Sequence, residues 1–249
     1  TVLLGSVSAA ADTVSVSSAA DVVEVPATDA AADVSAGSIS LTAGTGGAGA
    51  VGTAVAGEEL EIDLGSGSLS LTTAGVAGDI HIAETAGRIA TSAISTVSTP
   101  GGSVTIVIEN RDAGFDVDSG AAWPAGGSDD DITLSALNLT ASAGDDDTLF
   151  AASSGIATTG IVTLDTVGAV SDAGGDTTTD VAAASLVGTS ATGFGAAGDP
   201  IETTVANLDI QNSTSGGVVV AESDGLQVNR ATTVNDVVTI ASTTGDISV

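Results

Sequence analysis

One short phrase recurs, with variations, along this whole chain: two or three branched aliphatic residues at alternate positions, entered through Gly, Ser or Asp. It reads Gly37-Ser-Ile-Ser-Leu41, Gly67-Ser-Leu-Ser-Leu71, Gly78-Asp-Ile-His-Ile82, Gly102-Ser-Val-Thr-Ile-Val-Ile108, Asp131-Ile-Thr-Leu134, Gly217-Val-Val-Val220 and Gly245-Asp-Ile-Ser-Val249. Strict alternation is the pattern of a strand with one buried face, and the turn residue before each phrase marks where the strand begins. So many copies point to a repeat architecture.

The same reading predicts strands near 2–7, 13–17, 22–25, 38–42, 59–64, 68–72, 79–83, 88–94, 103–109, 114–118, 131–140, 147–151, 160–165, 179–187, 203–210, 217–221, 226–229, 234–241 and 246–249. Inward residues are expected at Leu60, Ile62 and Leu64, at Ile80 and Ile82, at Val104, Ile106 and Ile108, at Leu208 and Ile210, and at Val238 and Ile240. Between them Glu61, Asp63, Ser70, His81, Thr105, Asp116, Asp209 and Thr239 are expected to face solvent. The Ala-rich piece Val181-Ala-Ala-Ala-Ser-Leu186 is the one segment whose periodicity is ambiguous, and the surrounding β-branched residues and Gly favour strand.

Successive strand starts often fall about nine to twelve residues apart, which suits either a sandwich or the faces of a parallel β-helix. A sandwich would divide near about 100 residues and show a linker. Here the Gly/Ala/Ser/Thr/Asp-rich connectors 43–57, 119–130, 171–178 and 188–200 are of one character throughout. The expected fold is therefore all-β, a right-handed parallel β-helix (β-solenoid) with loops on one edge, and the expected organisation is a single segment, 1–249. Coils of roughly 20 to 30 residues stacked at about 4.8 Å give eight to twelve coils and a rod about 40 to 60 Å long.

Composition narrows the function. The 249 residues carry 33 Gly, three Arg and no Lys against 32 acids, a formal charge of -29, with no Cys, Met or Tyr, one Trp and one His. Aromatics make up only 2% of a chain that is 43% hydrophobic, so the core must be built from Val, Ile, Leu and Ala. Nucleic acid is excluded as a partner, because three scattered Arg supply no basic stripe to displace counterions from phosphate. An anionic membrane surface is disfavoured by the same repulsion, and no run of about 18 apolar residues offers a direct membrane insertion. Self-repulsion on this scale fits saline or calcium-containing surroundings, where ions relieve it.

Calcium takes six to eight oxygens, and adjacent Asp in a loop supply several. The runs Gly127-Ser-Asp129-Asp130-Asp131 and Gly144-Asp145-Asp146-Asp147 are the candidate calcium ligands, against the alternative that each is a solvated turn capping a strand. Neither fits the calcium-binding nonapeptide of β-rolls: the second glycine is missing after Gly127, and Leu149 falls one place late after Gly144. No other cofactor is expected.

Catalysis lacks its parts. Polysaccharide lyases and hydrolases need a base and stacking aromatics beside their carboxylates, and this chain has carboxylates alone. His81 is expected as a lone surface residue rather than a general base. Gly65-Ser-Gly-Ser68 sits between strands, not at a strand-to-helix elbow. Trp123, in Ala121-Ala-Trp-Pro-Ala-Gly-Gly127, reads as a loop anchor or a subunit contact. Asn138-Leu-Thr140 and Asn212-Ser-Thr214 match the glycosylation triplet. Arg88, Arg111 and Arg230 are expected each to neutralise a local set of acids.

The stretch Gly198-Asp-Pro-Ile-Glu-Thr-Thr-Val-Ala-Asn-Leu-Asp-Ile-Gln-Asn212, continuing through Gly216-Gly-Val-Val-Val-Ala-Glu-Ser-Asp-Gly-Leu-Gln-Val228 and Gly245-Asp-Ile-Ser-Val249, resembles the repeat region of very large bacterial surface proteins of the filamentous-haemagglutinin, two-partner-secreted type. Gly37-Ser-Ile-Ser-Leu-Thr-Ala43 and Ala136-Leu-Asn-Leu-Thr-Ala141 are similar to the same repeats. The resemblance covers most of the chain from about 37 onward. It implies an exported right-handed β-helix serving as stalk, adhesin shaft or matrix fibre, while the acidic, Lys-free composition departs from what heparin binding requires.

The chain opens at Val2-Leu-Leu4 and closes at Val249 in mid-phrase, so it reads as a piece of a longer array. The expectation is a non-catalytic, extracellular or cell-surface rod segment of an adhesin, sheath or filament. Its partners are expected to be copies of itself, stacked head to tail, and a carbohydrate or host-surface ligand. Two alternatives stay open: a β-helical carbohydrate-binding or cleaving module, and a surface-layer protein of a salt-adapted microbe.

Overall fold

The computed structural model of the chain describes residues 1–25, 31–55, 58–74, 78–98, 105–111, 113–118, 130–137 and 146–249. Across these residues the chain is all-β, and the one helical piece described is a 3-10 turn, Thr91–Ala93. All the pairings between its strands are parallel. Parallel neighbours cannot be joined by tight hairpins, so each pairing requires the chain to travel around and return in the same direction.

The register shows how regularly it returns. Val2, Val22, Val51, Ile80, Ile106, Ile132, Val162, Leu186, Leu208 and Val228 are partners in turn along one column. The interval is as short as 20 residues, from Val2 to Val22, and as long as 30, from Ile132 to Val162. These are large parallel sheets of the kind a β-solenoid contains. At the spacing of hydrogen-bonded strands the column is about 45 Å long.

Two residues further along each strand runs a second inward column: Leu60, Ile82, Ile108, Leu134, Leu164, Gly188 and Ile210. Its aliphatic members are fully buried. A third joins Ile39, Leu69 and Ile94, and a fourth joins Ile89, Phe115, Thr148, Val170, Phe194, Val218 and Val238. Like stacks on like because a strand one rung away presents the same pleat to the same interior. The one gap, Gly188, is filled from the side. A Cβ there would lie 2.5 Å from Ile210 Cδ1 and 2.6 Å from Phe194 Cε2, so glycine makes room for the buried Phe194 ring.

The strands follow the alternating phrases and overrun them. Val34–Ala43 starts before the expected 38–42, because Val34, Ser35 and Ala36 already pair with Ile62, Asp63 and Leu64 of the next circuit. Val170–Asp172 lies partly in what reads as a connector, held by Thr148–Phe150. The expected strand 88–94 is instead two, Ile89–Ala90 and Ile94–Ser98, separated by the 3-10 turn. The ambiguous Ala-rich piece is strand, within Val181–Ser190.

Two residues expected to face solvent do not. Glu61 and His81 are buried, whereas Asp63, Ser70, Thr105, Asp116 and Asp209 are partly exposed and Thr239 is exposed, as expected. Both sit where the register of the column is irregular. Val51 and Leu60 pair with Ile80 and Ile82, so nine residues in one circuit span what two span in the next. In the circuit before, Glu24 pairs with Leu4, while Asp33 and Val34 are the residues beside Glu61 and Ile62. Gly52, at φ +73, lies so close to the His81 carbonyl that a Cβ there would clash with it, which leaves glycine the residue that fits.

Candidate functional site

Where the register is irregular, acids collect. Glu24 sits two residues beyond Val22, in the phase of the aliphatic column, and is buried. Asp33 and Glu61 are neighbours on adjacent circuits, since Val34 pairs with Ile62 and the Asp33 N–H donates to the Glu61 carbonyl at 2.8 Å. One carboxylate oxygen from each of Glu24, Asp33 and Glu61 lies within 4.8 Å of the other two. Among the described residues this is the one group of three or more metal-ligating side chains so close together.

Arg111 closes one side of the group. Its Nη1 donates to Glu61 Oε1 at 2.7 Å and its Nη2 to Glu59 Oε2 at 2.9 Å, while Nε lies 3.6 Å from Glu109 Oε2. The reach follows from register: Glu109 pairs with Ala83, and Ala83 with Glu61, so the guanidinium crosses a rung where the side chain is only a methyl group. One cation thus faces Glu59, Glu61 and Glu109 together, with Glu24 and Asp33 behind them. Burial pushes the Asp33 carboxyl up to about 7, with the charges of Glu24 and Glu61 adding to it. Burial also raises Glu61, against the lowering effect of Arg111. A buried carboxylate without a counter-charge is costly, and this group holds more negative charge than Arg111 can offset.

A second polar feature runs inside the molecule. Glu84, Asn110, Ala136 and Thr166 succeed one another in register, and Ser190 pairs with Asn212 further along the same corner. All are buried. Glu84, Asn110 and Asn212 bond the turn that follows their strand, whereas Thr166 Oγ1 shares a hydrogen bond with Thr148 Oγ1 at 2.9 Å and Ser190 Oγ has no partner. Asn110 Nδ2 donates to the carbonyls of Gly87 and Gly114 at 2.8 and 3.0 Å, and its Oδ1 accepts from Ala113 N. Asn212 Nδ2 donates to Ser215 and Gly216 carbonyls, both at 2.6 Å. Glu84 accepts from Leu64 N at 3.1 Å and from Ala86 N, yet its burial pushes the carboxyl up to about 8. Across the interior Glu222 does the same, accepting from Thr203 Oγ1 at 2.6 Å and from Ser223 N at 2.9 Å.

Of the candidate calcium ligands, Asp129 and Asp145 lie outside the described residues, as do Trp123 and the triplet at Asn138. Asp131 and Asp147 accept backbone N–H groups of the next circuit: Asp131 Oδ1 takes the Ile161 N–H at 2.7 Å, and Asp147 Oδ1 the Ala169 N–H at 2.6 Å. Asp130 is buried and Asp146 partly so. None of these four belongs to a group of three ligand atoms like that at Glu24. His81 is buried with its Nε2 bonded to nothing, and desolvation lowers its pKa against the opposing charges of Asp79 and Glu59. Among the described residues Arg88 pairs with Asp116 and Arg230 with Asp209.

Compared with protein-family models, with curated proteins and with solved structures, the chain matches none. What is known of it therefore rests on its own residues. The buried acids Glu24, Asp33, Glu61, Glu84 and Glu222 are not among the residues that motif and spacing single out. A signal for most of them was present. In Val22-Val-Glu24, Ile82-Ala-Glu84 and Val220-Ala-Glu222 an acid continues the two-residue phase of the inward aliphatics, and Asn follows the same rule in Ile108-Glu-Asn110 and Ile210-Gln-Asn212.

Proposed function

We propose that this chain is a structural segment, a right-handed parallel β-solenoid that serves as a stiff rod in an extracellular adhesin, sheath or filament and catalyses nothing. The observation that carries the reading is the ten-member parallel column from Val2 to Val228, flanked by columns of stacked aliphatics. A structure whose circuits repeat the same hydrogen bonds resists bending, and its length scales with the number of circuits. The polar residues that sequence offers for chemistry serve the backbone instead: Asp131, Asp147 and Asn212 all bind its groups. The haemagglutinin-type phrases point to the same role and to the cell surface. Immunogold labelling of intact producing cells tests it. Label along surface fibres is the expected result, and label confined to the cell interior contradicts it.

The carbohydrate-binding alternative has one observation in its favour. A groove of about 350 Å³ runs along the outer side, lined by Asp165, Thr189, Gln211 and Ser213 among others. Asp165, Thr189, Gln211 and Ser213 offer groups that can bond hydroxyls, but most of the wall is apolar, with Leu137, Val167 and Ala191 in it, and none of the lining residues is aromatic. A glycan array probed with the chain separates the two readings.

A further inference from the structure

We infer that Glu24, Asp33 and Glu61 form a binding site for one hard divalent cation of the calcium type, which fastens two successive circuits of the chain where the register of the column is irregular. The site is distinct from the Asp runs at 129–131 and 145–147, and it does not depend on the rod being extracellular.

Three observations carry it. The ligand atoms come from two circuits and converge: one oxygen each from Glu24 and Asp33 of one circuit and Glu61 of the next, all within 4.8 Å of each other. A single ion with oxygens at about 2.3–2.6 Å spans such a set. Second, the side chains are removed from water, Asp33 at 5% and Glu61 at 0% exposure, and no donor from the rest of the protein reaches Asp33 Oδ2 or Glu61 Oε2, which leaves the two carboxyls facing each other across either a shared proton or a cation. Buried acceptors in native folds are otherwise satisfied, so two such oxygens on facing carboxylates call for a ligand. Third, the available cation is already committed. Arg111 holds Glu61 through Oε1 and is shared with Glu59 and Glu109, which leaves the other side of Glu61, facing Asp33, without positive charge.

The donor set selects the ion class. All three ligands are carboxylates, with neither His nor Cys among them, which suits calcium or magnesium and not the softer transition metals. Three anionic ligands and an irregular corner suit calcium, which tolerates variable geometry and fills its remaining positions with carbonyls and water, over magnesium, which demands a near-octahedral cage.

Calorimetric titration of the intact chain with calcium chloride, after chelation and dialysis at pH 8 in high salt to suppress diffuse counterion binding, tests the site. The expected result is one saturable calcium per chain, with magnesium binding more weakly. Asp33→Asn and Glu24→Gln should each weaken calcium binding by roughly ten-fold or more, since affinity follows the number of charged ligands. A control with Asp129, Asp130, Asp131, Asp145, Asp146 and Asp147 all changed to Asn should keep the stoichiometric ion. Circular dichroism on each variant confirms the β fold, and either ligand variant that folds is sufficient. No stoichiometric uptake by the parent chain overturns the inference, as does uptake that survives both ligand substitutions or disappears only in the loop control. A parent chain that ignores calcium but is stabilised by Asp33→Asn shows that the cluster is held by a shared proton, and likewise overturns it.

Discussion

Glu84 shows what a single buried acid does to this fold. Its carboxyl titrates near 8 in the folded chain against 4.5 in the open one, because burial opposes the charge. Between those values the folded state holds a proton that the unfolded state has released, so stability falls as pH rises from about 4.5 to about 8 and is level above. The slope from this one group approaches about 1.4 kcal/mol per pH unit in the middle of that window. Glu84→Gln removes it while keeping a carbonyl acceptor for the Leu64 and Ala86 N–H groups. Melting temperatures taken from pH 5 to 9 should show the variant losing less stability than the parent. Parallel curves contradict the assignment. Arg111 is the opposite case. Arg111→Ala strands Glu59 and Glu61 in a buried setting, and chemical denaturation at pH 7 should show a loss of about 3–5 kcal/mol; a loss below about 1 kcal/mol means the acids find other partners.

At the scale of the strand, the column explains both what sequence made legible and what it hid. Alternation located nearly every strand and most of its inward aliphatics, since a two-residue period is written directly into the residues, but Val238, expected inward, is exposed. It placed Glu61 and His81 outside because alternation records only which side of a strand a residue takes, and not whether another segment lies over that side. At Glu61 that neighbour is Arg111, with Glu24 and Asp33 on the other side, and the meeting is visible only once Val51 and Leu60 are known to pair with Ile80 and Ile82. The acids at Glu24, Glu84 and Glu222 were readable as breaks of composition at an unbroken phase, but a composition with 32 acids makes three more look ordinary. Packing gives this scale its own test. Gly188→Val forces two methyl groups toward Ile210 and Phe194 and should cost about 1–3 kcal/mol by denaturant titration. Phe194→Ala relieves that crowding, so the double variant should lose less than the sum of the two single changes. Full additivity means that Gly188 and Phe194 do not compete for space.

Across the whole molecule two influences oppose each other: the stacked columns hold the circuits together, and the charge of -29 pushes them apart. Most acids outside the buried groups are exposed or partly so, where salt screens them. Melting temperature at pH 8 should therefore rise by several degrees between about 0.05 M and 1 M sodium chloride, and no change contradicts the view that self-repulsion strains the fold. The chain returns to one column, in register, circuit after circuit. The chain contains no Cys, so introduced pairs report without background. Val107, Thr133, Thr163, Val187 and Asp209 are successive partners on one outward column. Spin labels at Val107 paired in turn with Thr163, Val187 and Asp209 should give main-chain separations near 10, 14 and 19 Å, equal steps of about 4.8 Å per rung. Separations that fail to increase in that order, or that exceed about 30 Å for the last pair, contradict the stacked parallel column on which the account rests.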